Sequence, residues 1–169
     1  MSRIHCPSTV RSMSIMVAFV ATFVTLIPTS GFARSNTFAG LVVSVRDGDT
    51  LMVIRHDHVE KVRLAGIDCP ELGQAFGASA KQFTSRLASG KVVTVRVREV
   101  DAEGRRIGVV ILPDGRSLNR ELVAAGMAWR SASTSKKDKE MAKLEAEARR
   151  EKRGLWTDAH PTPPWTFRK

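Results

Sequence analysis

The chain has 169 residues, 43% of them hydrophobic, with 27 lysines and arginines against 17 acidic side chains and two cysteines. The ordinary apolar fraction excludes wholesale disorder, and two cysteines exclude a disulfide-held scaffold. The net charge of +10 points to a polyanionic partner, nucleic acid or an anionic membrane surface, and says nothing of fold.

Residues 1–33 carry the pattern of a secretory leader. Arg3 and Arg11 give a positive start, Ile15 to Ile27 is uncharged, and Gly31-Phe32-Ala33 places small residues where a signal peptidase reads. Cleavage is expected after Ala33, with export to the periplasm or the medium. The alternative is an uncleaved membrane anchor, but the run from Ile15 to Ile27 would rise only about 20 Å as a helix, short of a ~30 Å hydrocarbon core. The expected domain is 34–160, followed by a proline-rich tail at 161–169. Removal of Cys6 with the leader leaves Cys69 alone, so stability must come from a packed core.

Phe38 to Val45 is apolar and β-branched and predicts a strand. Arg46-Asp47-Gly48-Asp49 turns it into a return strand from Thr50 to Ile54. A second turn, Arg55-His56-Asp57-His58, leads to a third strand from Val59 to Ile67. There Val62 and Leu64 face one way and Arg63 the other. Pro70 forces a loop at Asp68-Cys69-Pro70-Glu71. Phe76, Ala80, Phe83 and Leu87 then recur at helical spacing up to Gly90. Lys91 to Val100 alternates as a fourth strand, Asp101-Ala102-Glu103-Gly104 turns, and Arg105 to Leu112 is the fifth. After a turn at Pro113-Asp114-Gly115-Arg116, Ser117 or Asn119 caps a short helix ended by Gly126. Lys136 to Arg153 predicts a longer helix with Met141, Leu144 and Ala148 on its apolar stripe, stopped by Gly154. Leu155 and Trp156 are expected to pack back on the body, and Trp165 and Phe167 to dock the tail. Three strands, a helix and two strands, with helices after them, predict an α+β fold: a five-stranded OB-type barrel with about three packed helices.

The chemistry-bearing residues fall at strand ends, where loops gather at a barrel rim. Asp49 follows the first hairpin turn, Arg63 stands on strand three, Asp68 and Glu71 flank the proline, and Arg105 follows Gly104. Such carboxylates can hold a hard cation through oxygen, arginines can grip phosphate oxygens with a planar fork, and a remaining carboxylate can take a proton from water. Each piece alone is commonplace: an Asp-Gly-Asp turn, a solvated strand arginine, a proline helix entry.

As a set they are specific. Val45-Arg46-Asp47-Gly48-Asp49-Thr50, Val62-Arg63-Leu64-Ala65-Gly66-Ile67-Asp68-Cys69-Pro70-Glu71, Gly104-Arg105, Leu122-Val123-Ala124-Ala125-Gly126 and Gly154-Leu155-Trp156 together resemble the staphylococcal nuclease (thermonuclease) family, over about Phe38 to Trp156. The resemblance implies an OB-fold nuclease that uses one Ca²⁺ ion and hydrolyses DNA and RNA. It implies scission of the bond to the 5′ oxygen, leaving 3′-phosphate ends. By the same resemblance Asp49 and Asp68 are the calcium carboxylates, and Cys69 gives calcium its backbone carbonyl. Arg63 and Arg105 hold phosphate, and Glu71 is the proposed general base. The implied partner is a nucleic-acid substrate; nothing in the sequence demands more than a monomer, and no lasting membrane association is expected once the leader is gone.

The chain departs from the family in having no tyrosine. Ala102-Glu103 stands where the family has a Lys-Tyr pair, and Ser131 to Thr134 replaces its tyrosine stretch, so the nucleotide clamp is missing. Trp129 can stack on a base, but burial in the core is the expected use. His56 and His58 make at most half a metal site, and the basic clusters at 136–140 and 149–153 are expected to be solvated helix faces. Two other classes of function compete with a nuclease: a non-catalytic OB-fold module that binds nucleic acid without turnover, and a surface interaction protein whose acidic site is structural.

Overall fold

A computed structural model describes residues 36–131 and 138–168. The leader, residues 132–134 of the tyrosine-replacing stretch, and Lys136-Lys137 lie outside the described residues. The strands are β1 (Thr37–Val45), β2 (Thr50–Arg55), β3 (His58–Leu64), β4 (Ile67–Asp68), β5 (Val92–Val100), β6 (Arg106–Ile111) and β7 (Trp129–Arg130). Five of them close a barrel in the order β1-β2-β3-β6-β5. Every pairing is antiparallel except that of β3 with β6. This is the five-stranded OB-type barrel expected from the order of elements. The period of two turns Val42, Leu51, Val53, Val62, Val93, Val95 and Val110 into the barrel, all fully buried.

The third strand is shorter than the apolar pattern suggests. It ends at Leu64 because Gly66 takes a left-handed φ of 77° and carries the chain off the barrel. Ile67–Asp68 then pairs with Trp129–Arg130 in a separate ribbon, with Asp68 opposite Trp129. Two-residue strands have no periodicity to read, so this pairing has no trace in the local sequence.

Helix α1 (Gly77–Ala88) buries Ala80, Thr84 and Ala88, and α2 (Leu118–Ala124) buries Leu118, Leu122 and Val123. Helix α3 (Lys139–Arg150) begins where the Asp138 side chain accepts the Met141 N–H, and it buries Met141 and Ala148. The last residues expected in that helix form a turn instead, with Lys152 at a φ of 51°. A 3-10 turn at Gly154–Thr157 inserts Leu155 and Trp156, and α4 (Pro164–Phe167) ends the described chain. Trp129 is buried and meets Trp156 edge-on at 5.6 Å and Trp165 at 6.3 Å, so it belongs to the core. Arg149 lies over the Trp156 ring at 3.7 Å and also bonds Glu145, while Arg153 donates to the Ala124 carbonyl. Part of the 149–153 basic cluster is therefore engaged within the fold.

Asn119 is not a helix cap. Ser117 holds the N-cap position, and the Asn119 side chain is buried beneath it. Its oxygen accepts the Val110 N–H at 3.1 Å, and its amide donates to the Ala65 carbonyl at 2.8 Å and the Gly108 carbonyl at 3.3 Å. It ties α2 to the β3–β6 seam. Asn119→Ala strands several buried backbone groups, and a loss of roughly 2–4 kcal/mol in urea unfolding is expected. A loss below about 0.5 kcal/mol, the range of ordinary surface changes, would contradict this bracing role.

Candidate active site

Three segments meet at one end of the barrel: the β1–β2 turn, the end of β3, and the β4 ribbon with the loop after it. The turn is pressed flat against its neighbours. A Cβ on Gly48 would fall 2.6 Å from the Cys69 Cβ and 2.9 Å from the Ala80 Cβ, and the Thr84 hydroxyl donates to the Gly48 carbonyl at 2.6 Å. Only glycine allows that approach, and it places Asp49 against the start of the Cys69 loop. Asp49 is 3% exposed and Asp68 8%. Asp49 Oδ2 accepts the Cys69 N–H at 2.9 Å, and the Thr50 hydroxyl donates to Oδ1 at 3.2 Å.

Arg63 joins the two carboxylates. Its Nη1 donates to Asp49 Oδ1 at 2.9 Å and its Nη2 to Asp68 Oδ1 at 2.8 Å. Strand alternation turns it away from the barrel interior, yet its guanidinium is folded into an acidic cluster. Glu71 opens the loop before α1, where its N–H donates to Gln74 Oε1 at 3.1 Å. It reaches the cluster through a residue that no sequence pattern singles out. Arg168 Nη1 donates to Glu71 Oε1 at 2.7 Å and to Asp68 Oδ1 at 3.3 Å, and its Nη2 donates to Asp68 Oδ2 at 2.5 Å. The only hint of Arg168 in the sequence is the pair of aromatics, Trp165 and Phe167, just before it.

Arg105 is not bonded to this cluster. Its Nε donates to Asp101 Oδ2 at 2.6 Å and its Nη1 lies 3.4 Å from Glu103 Oε2. The glutamate that stands in the missing clamp is thus paired with Arg105 itself.

Burial pushes the Asp49 carboxyl up to about 7, against the pull of Arg63 and of the Cys69 N–H. Burial also works against the charge on Arg63, but Asp49 and Asp68 more than offset it and hold the guanidinium above its ordinary value. Burial drives the Cys69 thiol well up, and the nearby carboxylates add to this, so it is a neutral thiol rather than a nucleophile or a soft ligand. A carboxyl that protonates more readily when folded gives stability at low pH that is lost as pH rises through its folded value. Relative to Asp49→Asn, the metal-free protein is therefore expected to lose stability as pH rises from the carboxyl's ordinary value of 3.8 to about 7. Urea midpoints in chelator would check this, and a constant difference between the two proteins would contradict it.

Among the described residues, no group of three or more His, Cys, Asp or Glu side chains converges on one point. What the cluster offers is two carboxylates joined by Arg63, one of them also bonded by Arg168, an oxygen-only set of ligand atoms. That chemistry fits a hard dication with its remaining positions left to water or substrate, and does not fit a soft one.

A family model described as "Staphylococcal nuclease homologue" matches residues 61–158. The chain belongs to this family. An "Uncharacterized endonuclease" of Escherichia coli O157:H7 is 42% identical over 129 residues, covering 76% of this chain and 84% of the relative. A "Micrococcal nuclease" of Shigella flexneri is 41% identical over 141 residues, 78% and 81% of the two chains. "Protein ParB" of Escherichia coli is 34% identical over 168 residues, 94% and 93%. Arg63, Asp68, Glu71 and Arg105 all lie within the span matched by the staphylococcal nuclease model.

Proposed function

We propose that this family member is an exported, Ca²⁺-dependent nuclease that hydrolyses phosphodiester bonds of DNA, RNA or both and leaves 3′-phosphate ends. The observation that carries the reading is the Arg63 bridge. A fork-shaped cation holds two buried carboxylates side by side at a barrel rim, an arrangement that opposes stability and suits a metal and a phosphate. Asp49, Asp68 and the Cys69 carbonyl are the groups that would hold Ca²⁺, which when bound supplies Lewis-acid charge to a phosphate oxygen.

The remaining roles belong to the chain itself. Arg63 and Arg105 donate to the non-bridging phosphate oxygens, and their bonds strengthen as charge builds in the transition state. To do so Arg105 must exchange Asp101 and Glu103 for the substrate, and Arg63 must turn N–H groups from Asp49 and Asp68 to it. Glu71 takes one proton from the attacking water, whose oxygen bonds to phosphorus while the bond to the 5′ oxygen breaks. The 5′ oxygen departs as a hydroxyl by taking a proton from solvent water, Glu71 returns its proton to solvent, and the phosphate stays on the 3′ side. Export rests on the leader pattern of residues 1–33, and the protein acts as a monomer on a nucleic-acid substrate.

Digestion of a 5′-labelled oligonucleotide in Ca²⁺ tests the product assignment. Fragments should resist extension by a polymerase until a phosphatase removes the 3′ phosphate. Fragments extended without that treatment would carry 3′ hydroxyls and contradict the reading.

A further inference from the structure

We propose that Arg168 is a built-in cation that closes the candidate metal position, so that a dication must displace it from Asp68 and Glu71 to enter. The inference rests on the Ca²⁺ reading above. Arg63 uses Asp68 Oδ1 and leaves Oδ2 to another donor. Arg168 takes that oxygen, shares Oδ1, and bonds the Glu71 carboxylate as well. One guanidinium therefore covers both the second oxygen of a candidate ligand and the candidate base.

The tail delivers this arginine by docking. The Gln74 side-chain amide, in the same loop as Glu71, donates to the Thr162 carbonyl. Pro164 is buried, Trp165 lies edge-on to Trp129, and the Phe167 ring packs at Gly73. Tethering of this kind makes Arg168 a competitor at high effective concentration without any free ligand.

Charge explains why the position is filled. Asp47, Asp49 and Asp68 surround Arg63, and Arg168 adds a second positive charge that Asp68 shares with Glu71. A dication and a guanidinium on the same Asp68 oxygen repel, so the two exclude one another. Arg168 is the arginine that yields, since its side chain is 42% exposed against 21% for Arg63. Arg63 also holds Asp49, whose other donors are the neutral Cys69 N–H and Thr50 hydroxyl. The penalty is reciprocal: by whatever factor Arg168 weakens the metal, the metal weakens Arg168.

Calorimetric titration of CaCl₂ into the metal-free full chain tests the latch directly. Arg168→Gln should bind Ca²⁺ more tightly than wild type, on the order of fivefold at low salt, with the gap narrowing as KCl screens the exposed pair. Arg168→Lys should fall between them, because an ammonium keeps the charge but cannot span both carboxylates. Equal or weaker binding by Arg168→Gln, with binding still lost in Asp68→Asn, overturns the latch and leaves the Ca²⁺ reading standing. No Ca²⁺ binding by wild type or by Arg168→Gln overturns the Ca²⁺ reading and the latch with it.

Discussion

Arg63→Lys is expected to lower turnover roughly 10²-fold or more, the scale on which removal of one preorganised transition-state donor acts. The substitution keeps the charge and deletes the fork. In the folded protein that fork donates from separate nitrogens to Asp49 and Asp68, 2.9 and 2.8 Å away, and an ammonium cannot hold both. A second consequence follows from burial. Strand alternation alone predicts almost no effect on folding, since Arg63 points away from Val62 and Leu64. The contacts say otherwise: a single ammonium cannot bond both carboxylates at once, so one buried carboxylate loses its charged donor and a cost of about 1–3 kcal/mol is expected. Single-turnover rates and urea unfolding of the same preparation separate the two effects. Wild-type turnover in the lysine variant would remove Arg63 from the site.

Glu71→Gln and Asp68→Asn are expected to fail in different ways. Glu71→Gln removes a proton acceptor and should lower the rate at saturating Ca²⁺ by about 10²–10⁴-fold, the range for general bases, while leaving Ca²⁺ binding measurable by calorimetry. Asp68→Asn removes a carboxylate that the cluster offers to a cation, so the Ca²⁺ needed for half-maximal rate should rise steeply. Loss of calorimetric binding in Glu71→Gln would make Glu71 a ligand rather than the base.

The barrel was legible because its signals are local. Alternation in Val92–Val100, the turn residues at 46–49 and 101–104, and the helical spacing from Phe76 to Leu87 each act within a few residues. Asp49, Arg63 and Asp68 were legible as a set because the resemblance joins positions that the fold brings together. What escaped depends on partners distant in the chain. The β4–β7 ribbon joins Asp68 to Trp129, Asn119 reaches Ala65, and Arg168 reaches Asp68 from 100 residues away. No pattern of period 2 or 3.6 encodes such contacts. Arg105 shows the converse. The resemblance implies a phosphate-holding arginine at its position, while in the folded chain it is held by two acids of its own turn.

The account turns on metal-dependent cleavage, and supercoiled plasmid incubated with the purified protein in Ca²⁺ or in chelator tests it most directly. Nicking and linearisation with Ca²⁺, none with chelator, and a large loss in Arg63→Lys are the predicted results. Gel retardation of the plasmid without any cutting in Ca²⁺ would contradict the account and leave a nucleic-acid-binding barrel in its place.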